Sequence, residues 1–412
     1  MIQRYSDFAI ENIWNLKNRY SIWLECLKAS TKGYCESLQM NEAEISEVMK
    51  HLEDVKMSFE ATREINRIES IRKHDTASFI QYVTTNTPSE THKYIYFGLT
   101  SSDIKDTAFS ILIKKSLSRC SNLMEKLTLT LNDIALKHKT TSIMGRTHGV
   151  YGEPITFGIV CLRWMDVFKR RLEKIKIISD ALPGMFSGSM GIYSHTSVEH
   201  ETNALNILGL KQTLTSQIIP RDYYSDVIYE LSVVASQIEN VASQIRHYHR
   251  DEINEVKESF SNHQIGSSSM PHKKNPIYSE NLCGLSRVVR SQVNLALENI
   301  IQWHERDMSH SSIERLIFPD TFHIICFSLE RMINVLNNLK VNTDVMKERV
   351  ENNLSVVSSQ MIMNKSISNG YNRFDSYNES KNLANKSISE TDYYHCIEEI
   401  YNKYSLKDED GN

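Results

Sequence analysis

The 412-residue sequence contains few of the residues that interrupt helices, with only 14 glycines and seven prolines. Both residue types disfavour helix interiors, so the long gaps between them favour long helices. The clearest helical pattern, LSVVASQIENVASQIRHYH, repeats apolar residues at spacings of three and four, at Leu231, Val234, Ile238, Val241 and Ile245. The same pattern recurs in residues 107–140, 155–182 and 277–304. The sequence therefore predicts an almost all-α fold.

Paired cysteines, long apolar runs and a strong charge of one sign are also missing. None of the seven cysteines forms a CxxC pair, so neither a zinc site nor a disulfide framework is indicated. No stretch reaches the roughly 18 uninterrupted apolar residues of a membrane span, and the opening MIQRYSDFAI has no apolar core of signal-peptide length. The formal net charge of -4 gives no bulk attraction to nucleic acid or to anionic membranes. We therefore expect a cytoplasmic protein that binds neither nucleic acid nor membrane.

Changes in composition along the chain predict three helical domains. Residues 1–98 mix short helical patterns with turns, and residues 99–348 carry the long helices. Residues 349–412 are rich in Asn, Ser, Lys and Tyr, which is typical of a small, loosely packed helical unit. Long helices of the central kind usually pack against partners, so we expect a helix bundle that oligomerises.

Two polar clusters lie where the chain breaks between helices. In MGRTHGVYGEP, residues 144–154, three glycines and a proline surround Thr147 and His148, and such backbone lets several groups converge on a ligand. In FGLTSSDIKD, residues 97–106, Thr100 and Ser101 stand at a helix start, where free backbone amides bind anions. On the motifs alone, His148 could instead be a loop residue that ends a helix, and Ser101 could belong to an ordinary helix cap.

A third cluster, WHERDMSHSSIERLIFPD, spans residues 303–320 and combines histidines, carboxylates, arginines and serines. Arg306 and Arg315 could each hold a carboxylate or a phosphate through two hydrogen bonds. The alternative is a charged helix face that contacts only water.

The fourth cluster is GSSSMPHKKNP, residues 266–276. Lys273 and Lys274 supply positive charge, Asn275 supplies amide donors, and three serines supply hydroxyl and backbone donors. A serine nucleophile needs a base, and neither a clear partner in the loop nor a GxSxG turn is present. Positive charge with converging donors suits an anionic substrate whose charge grows in the transition state. This is the profile of carbanion chemistry beside a carboxylate.

These clusters, in this order, resemble the conserved blocks of the fumarase/aspartase superfamily and, within it, of the adenylosuccinate lyase family. Two further segments carry the resemblance: the RY pair at Arg4 and Tyr5, and NRIESIRKHDTASF, residues 66–79, with His74 and Asp75. The resemblance covers about residues 1 to 360. It implies a three-domain all-α fold whose central long-helix bundle forms the core of a homotetramer, with active sites shared between subunits.

The implied reaction is β-elimination of fumarate from succinyl-AMP, and from the succinyl-carboxamide ribotide, in purine nucleotide biosynthesis, without a metal or an organic cofactor. The resemblance assigns Ser268 as the base and His148 as the acid, the latter oriented by Glu280. It also places Lys273 and His74 among the catalytic residues. Around the fumaryl carboxylates it implies Lys273 and Asn275 with Thr100, Ser101 and Gln217. Around the phosphate it implies Arg4, Tyr5, Ser311 and Arg315, with His74 nearby. Arg306 would position the nucleotide, and Thr147 and Asp75 are further substrate ligands.

The sequence also departs from that family's pattern. Lys274 stands where arginine is common, and Tyr223 and Tyr224 stand where a basic pair is common. The region after about residue 360 is short and polar. Two alternatives follow: a related lyase that releases fumarate from another succinyl-amine, and a catalytically silent homologue with a structural role.

Overall fold

The structure, a computed structural model, describes residues 1–260, 264, 266–381 and 388–406, and the all-α prediction is confirmed. The helices in these residues are α1 Phe8–Trp14, α2 Leu16–Ser37, α3 Glu42–Glu53, α4 Phe59–Arg72, α5 Asp75–Thr85, α6 Ser101–Lys137, α7 Phe157–Ala181, α8 Val198–Leu208, α9 Asp222–His249, α10 Ile277–Glu298, α11 Ser309–Asn337, α12 Thr343–Val357, α13 Ser359–Ser368, α14 Arg373–Ser380 and α15 Ile397–Tyr404. Short 3₁₀ turns cover Gln3–Tyr5, Ser89–Thr91 and Glu390–Tyr393.

The few strands form three two-stranded pairs. The strands are β1 Ser142–Thr147, β2 Val150–Thr156, β3 Pro183–Gly184, β4 Lys211–Gln212, β5 Val256–Lys257 and β6 Lys340–Val341. The pairs β1–β2 and β5–β6 are antiparallel, and β3–β4 is parallel. Sequence reasoning predicted none of these strands, because the segment of β1 and β2 was interpreted as a flexible loop and the two-residue strands β3 to β6 are too short to leave a periodic pattern.

Two compact units divide the chain. The first consists of Met1–Leu123, Arg171–Ser236 and Leu285–Ser328, and the second of Met124–Arg170, Gln237–Gly284 and Leu329–Asn412. This division does not test the three predicted domains, whose boundaries stay a prediction. No helix in the described part of the chain combines the length and the apolar character that a membrane crossing requires.

The core of the first unit is rich in aromatic side chains. Tyr20 and Trp23 of α2 pack against Phe79 of α5, with ring centroids 6.0 and 5.5 Å from that of Phe79. Phe109 of α6 packs edge-on against Tyr224 of α9 at 5.0 Å. Each buried aromatic ring removes a large apolar area from water, so these contacts fix α5 against α2 and α6 against α9.

Candidate active site

His148 lies at the tip of the β1–β2 hairpin in the second unit. Thr147 pairs with Val150, so the turn between the strands is His148-Gly149. Both turn residues have positive φ, 56° and 80°, as the two central residues of a type I′ hairpin turn require. Glycine adopts this conformation readily, whereas a non-glycine residue such as His148 does so at a cost in free energy. The turn leaves the side chains of Thr147 and His148 exposed.

A buried ion network anchors the strand that leads to this tip. Arg146 donates two hydrogen bonds, of 2.9 and 2.8 Å, to the carboxylate of Glu255. The side chain of Glu255 is fully buried and also accepts a 2.7 Å hydrogen bond from Arg349. The end of β1, at Arg146 and Thr147, is therefore fixed by the ion pair with Glu255 as well as by the backbone hydrogen bonds between β1 and β2. Sequence reasoning missed Glu255, because its partners lie about 100 positions away on either side.

The loop that contains the three serines is closed at its base. Asn275 donates a 3.2 Å hydrogen bond from its amide to the carbonyl of Gly266. A side chain at Gly266 would place its Cβ 2.1 Å from the carbonyl oxygen of Lys273, so only glycine allows this approach. Inside the loop, Ser267 Oγ accepts the N–H of Met270 at 3.1 Å. Ser267 therefore stabilises the loop, while Ser268 is exposed.

The loop leads into α10, whose first turn contains Glu280. The buried carboxylate of Glu258 accepts the backbone N–H groups of Tyr278 at 3.2 Å and Ser279 at 2.7 Å. A carboxylate at a helix N-terminus satisfies amides that have no partner within the helix. Glu258 thus fixes the start of α10, and Glu280 follows with its side chain exposed. Whether Glu280 orients His148 stays a prediction.

In the first unit, three predicted site residues line one open cavity of about 480 Å³: His74, Thr100 and Ser101. His74 caps α5, and its Nδ1 accepts the N–H of Ala77 at 3.2 Å. This bond leaves the other ring nitrogen, Nε2, as the one that carries the proton in the neutral ring. The predicted functional role of His74 therefore coexists with an ordinary structural role.

Buried Asp103 fixes the start of α6. Its carboxylate accepts the backbone N–H groups of Thr100, at 2.6 Å, and of Gly188, at 3.2 Å. Burial raises the pKa of Asp103 to about 7, and the two N–H groups oppose that rise. The aspartate of the GLTSSD motif therefore positions the Thr100 and Ser101 donors, and it does so from inside the protein.

A second cavity in the first unit, of about 230 Å³, gathers most of the predicted nucleotide ligands. We call it the α11 cavity. Its charged, polar and aromatic lining consists of Trp14, Arg19, Trp23, Asp75, Ser102, Lys105, Asp106, Phe109, Arg221, Arg306, His310, Ser311, Glu314 and Arg315. Five basic residues against three acidic ones leave two positive charges in excess, with His310 counted as neutral. This balance favours an anionic ligand.

Two predicted residues of the α11 cavity make specific ionic contacts. Asp75 accepts hydrogen bonds of 3.0 and 3.2 Å from Lys105, and Arg315 lies 3.7 Å from the same carboxylate. Burial acts to raise the pKa of Asp75, but the Lys105 ammonium and the Thr76 N–H outweigh it, so the pKa is lowered. Lys105 thus neutralises Asp75 and leaves Arg315 exposed and available to an anion.

The structure also joins Gln217 to Arg306, which sequence reasoning had assigned to different parts of the substrate. Arg306 donates a 3.1 Å hydrogen bond to the amide oxygen of Gln217, whose nitrogen donates to the carbonyl of Ser189 at 3.2 Å. The guanidinium at the cavity is therefore oriented by Gln217.

Arg4 and Tyr5 lie in the first unit but are not among the residues that line the α11 cavity. The ring of Tyr5 packs edge-on against Phe327 of α11 at 5.3 Å, about three helical turns beyond Arg315. The predicted phosphate ligands are therefore split within one chain: Ser311 and Arg315 line this cavity, and Arg4 and Tyr5 occupy another part of the unit.

Among the described residues, no three His, Cys, Asp or Glu side chains lie together in a way that could hold a metal ion.

The sequence is similar to a family described as Lyase, which matches residues 5–291. It is 38% identical over 379 residues to adenylosuccinate lyase of Helicobacter pylori, an alignment that covers 92% of this chain and 84% of that protein. It is 35% identical over 412 residues to adenylosuccinate lyase of Thermotoga maritima, covering 100% of this chain and 92% of the relative.

Solved structures with a similar fold include a fumarate lyase from a Mesorhizobium species, with a TM-score of 0.79 and 20% identity, covering 92% of this chain and 86% of that one. The β-carboxy-cis,cis-muconate cycloisomerase from Acinetobacter calcoaceticus gives a TM-score of 0.75 at 20% identity, covering 91% and 85%. At this identity the likeness establishes the fold alone.

Proposed function

The chain belongs to the adenylosuccinate lyase family, and we propose that it releases fumarate from succinyl-AMP, leaving AMP, and from the succinyl-carboxamide ribotide by the same chemistry. It is a carbon–nitrogen lyase. The observation that carries this function is the 38% identity to a curated adenylosuccinate lyase over 92% of the chain.

The proposed reaction needs a base, a stabilised dianion and an acid. The base removes a proton from the succinyl carbon beside a carboxylate, and the electron pair forms the double bond of fumarate while the carbon–nitrogen bond breaks. The acid returns a proton to the departing nitrogen. The intermediate with two negative charges on one carboxylate requires positive charge and N–H donors that are already in place.

Ser268 is the base in this proposal, with Lys273 and Asn275 as carboxylate ligands. Its exposure supports this role, because the base must reach a substrate carbon. The close approach of Gly266 to the backbone carbonyl of Lys273 keeps the two ends of the loop together, which supports a place for Lys273 beside the serines in the reacting complex. Positive charge near a serine hydroxyl stabilises its ionised form. Closure of the loop over bound substrate would exclude water from the reacting atoms.

His148 is the acid, with Glu280 as the residue that orients its ring and Thr147 beside it as a substrate ligand. Its place on a two-residue turn behind the strand anchored by Arg146 and Glu255 supports a fixed position. Proton transfer requires a donor within hydrogen-bond reach of the leaving nitrogen, and an exposed imidazole on a rigid turn meets that need.

The nucleotide would bind in the first unit. Excess positive charge in the α11 cavity and the aromatic side chains along its wall suit a phosphorylated, planar ligand. Ser311 and Arg315 would bind phosphate, Arg306 and Asp75 would position the nucleotide, and His74 would lie nearby. Thr100, Ser101 and Gln217 would contact the fumaryl part, and Arg4 and Tyr5 would add phosphate contacts, supplied to a shared site.

We further propose a cytoplasmic homotetramer whose active sites take segments from different subunits. Large apolar side chains on the first unit support an interface, since Ile301 and Trp303 are 73% and 78% exposed. In such an assembly the exposed His148 and Ser268 would complete sites on neighbouring copies. Light scattering tests this directly, and a monomer with full activity would contradict it.

The decisive experiment incubates the purified protein with succinyl-AMP and follows fumarate and AMP. Equal molar release of both products supports the proposal. Release of fumarate from another succinyl-amine only, with neither purine substrate cleaved, would overturn the substrate and leave the reaction type in place. No fumarate from any of these compounds would overturn the catalytic function.

A further inference from the structure

We infer that His310 is a direct ligand of the substrate's phosphorylated part, to which it donates a hydrogen bond from Nε2. Because this assignment takes the α11 cavity as the nucleotide site, it rests on the proposed function. It adds to that site a residue that neither the sequence motifs nor the family resemblance singled out.

The burial of His310 is the first observation. The side chain is in the first turn of α11, lines the α11 cavity and is 2% exposed. Its Nδ1 lies 3.1 Å from Nη2 of Arg221 and 3.2 Å from Oε2 of Glu314. Its Nε2 is buried and has no hydrogen-bond partner within the described residues. A buried polar atom without a partner is costly, so a ligand oxygen in the cavity would remove a real penalty.

The contact of Nδ1 with Arg221 decides whether Nε2 donates or accepts a hydrogen bond. Arg221 can only donate, so a bond from Arg221 to Nδ1 uses the lone pair of that nitrogen and leaves the ring proton on Nε2. With Arg221 as the donor at 3.1 Å, Nε2 therefore carries the N–H.

Two further buried donors line the same cavity. The Nε atoms of Arg19 and Arg306 are buried and have no hydrogen-bond partner in the described residues. Three N–H groups without acceptors call for a ligand that presents several oxygens. Ser311, a predicted phosphate ligand, follows His310 directly in the chain and lines the cavity with it. We therefore assign the phosphorylated part of the nucleotide to this group of donors.

Two substitutions separate the ligand role of His310 from its structural role. His310→Asn places an amide where Nδ1 lies, so the contacts to Arg221 and Glu314 can persist while the Nε2 donor is lost. His310→Gln places an amide where Nε2 lies and retains that donor. His323→Asn is a matched control, because His323 is a buried histidine of the same helix whose Nδ1 accepts the N–H of Asp7 at 3.0 Å and which does not line the cavity.

The measurement is AMP binding to the full-length protein by calorimetry, with thermal unfolding recorded in parallel. We expect His310→Asn to weaken AMP binding about tenfold, as the loss of a hydrogen bond to a charged group predicts, with little change in unfolding temperature. His310→Gln should retain binding within about threefold, and His323→Asn should bind as the wild type does. A crystal structure with AMP should place a ligand oxygen within hydrogen-bond distance of Nε2, and it does not depend on whether a variant folds.

The outcomes distinguish this assignment from the proposed function. Wild-type binding of AMP with equal binding by a folded His310→Asn variant would overturn the role of His310 alone, as would a bound AMP with no atom near Nε2. Failure of the wild type to bind AMP or to cleave succinyl-AMP would overturn the nucleotide site and the assignment with it.

Discussion

Arg221 donates two hydrogen bonds, of 2.6 and 3.1 Å, to the carboxylate of Asp106 in the interior of the first unit. Its Nε donates to Glu314 at 3.1 Å. Burial acts to raise the pKa of Asp106, but the guanidinium outweighs burial, so the pKa is lowered. One buried cation, directly before α9, therefore connects α6 to α11, and both of these helices contribute residues to the α11 cavity.

Replacing Arg221 tests this connection. Arg221→Met leaves the buried carboxylates of Asp106 and Glu314 without their cation, so we expect the free energy of unfolding to fall by about 3–5 kcal/mol. Arg170 is exposed and paired with Asp166 at 3.0 Å on one helix face, so Arg170→Met should cost less than about 1 kcal/mol. Denaturant unfolding measures the free energy of unfolding of both variants. Equal losses would show that the buried Arg221 network stabilises the fold no more than an exposed ion pair does.

The serine loop predicts different roles for neighbouring hydroxyls. Ser268→Ala removes the proposed base, and we expect turnover of succinyl-AMP to fall at least about a thousandfold, which corresponds to ~4 kcal/mol of barrier. Ser269→Ala is the matched control in the same exposed loop and should keep turnover within a few fold. Steady-state kinetics with circular dichroism checks both, and near-wild-type turnover by Ser268→Ala would refute the base assignment.

The acid assignment makes a parallel prediction. His148→Ala should abolish turnover while AMP binding and folding persist, because the side chain is exposed at the hairpin tip and supports no core packing. His247 is also exposed but lies on α9, and His247→Ala should leave turnover unchanged. Loss of AMP binding by His148→Ala would point to a structural role for the turn instead.

We predict that Lys105 increases substrate affinity, because its ion pair with Asp75 leaves Arg315 available to the substrate. In Lys105→Met the Asp75 carboxylate loses its 3.0 Å partner and remains 3.7 Å from Arg315, so it competes with the substrate for that guanidinium. We expect KM to rise about tenfold, equal to ~1.4 kcal/mol, with a smaller change in kcat. Lys115 on the same helix is exposed and lies 3.8 Å from Glu25, so Lys115→Met is the matched control. An equal rise in KM for Lys115→Met would show that the effect comes from the loss of one positive charge and not from the contact with Asp75.

Buried His200 predicts a pH dependence of stability. Burial lowers its pKa to about 4, although its contact with Ser30, 2.9 Å from Nε2, acts in the opposite direction. Between pH 6.5 and 4 the unfolded chain binds a proton at this residue that the folded protein does not, so the free energy of unfolding falls as pH decreases. His200→Gln keeps an amide at Nε2 and should flatten the curve in that window, as measured by denaturant unfolding at several pH values. An unchanged slope would exclude His200 as the source.

Local sequence pattern was enough to predict the long helices. The apolar spacing in 231–249 fell within α9, and the segments 155–182 and 277–304 correspond closely to α7 and α10. The hairpin around His148 was not predicted, because its glycines were interpreted as a flexible loop. The HG pair was the available signal, since a two-residue hairpin turn needs positive φ at both positions.

Within the candidate site, the residue types indicated an anionic ligand, but the sequence did not show which side chains contact one another. Residue type in the segment 303–320 singled out Arg306 and Arg315, and the family resemblance added Ser311. Sequence reasoning missed Lys105 and Glu258, whose roles come from single contacts to Asp75 and to the start of α10. Lys105 lies inside the segment 97–106 but takes no part in the anion-binding pattern at its helix start, and Glu258 belongs to no motif, so no local pattern indicates either contact.

The sequence by itself determined the helical fold and the chemistry of the exposed motifs, because helix periodicity and side-chain type are local properties. The tertiary structure alone decided which charges are neutralised. Asp106, Arg221 and Glu314 are separated by about a hundred residues each, and only folding brings them within hydrogen-bond distance. Because these three charges are paired with one another in the interior, that long-range pairing sets the charge that the α11 cavity presents.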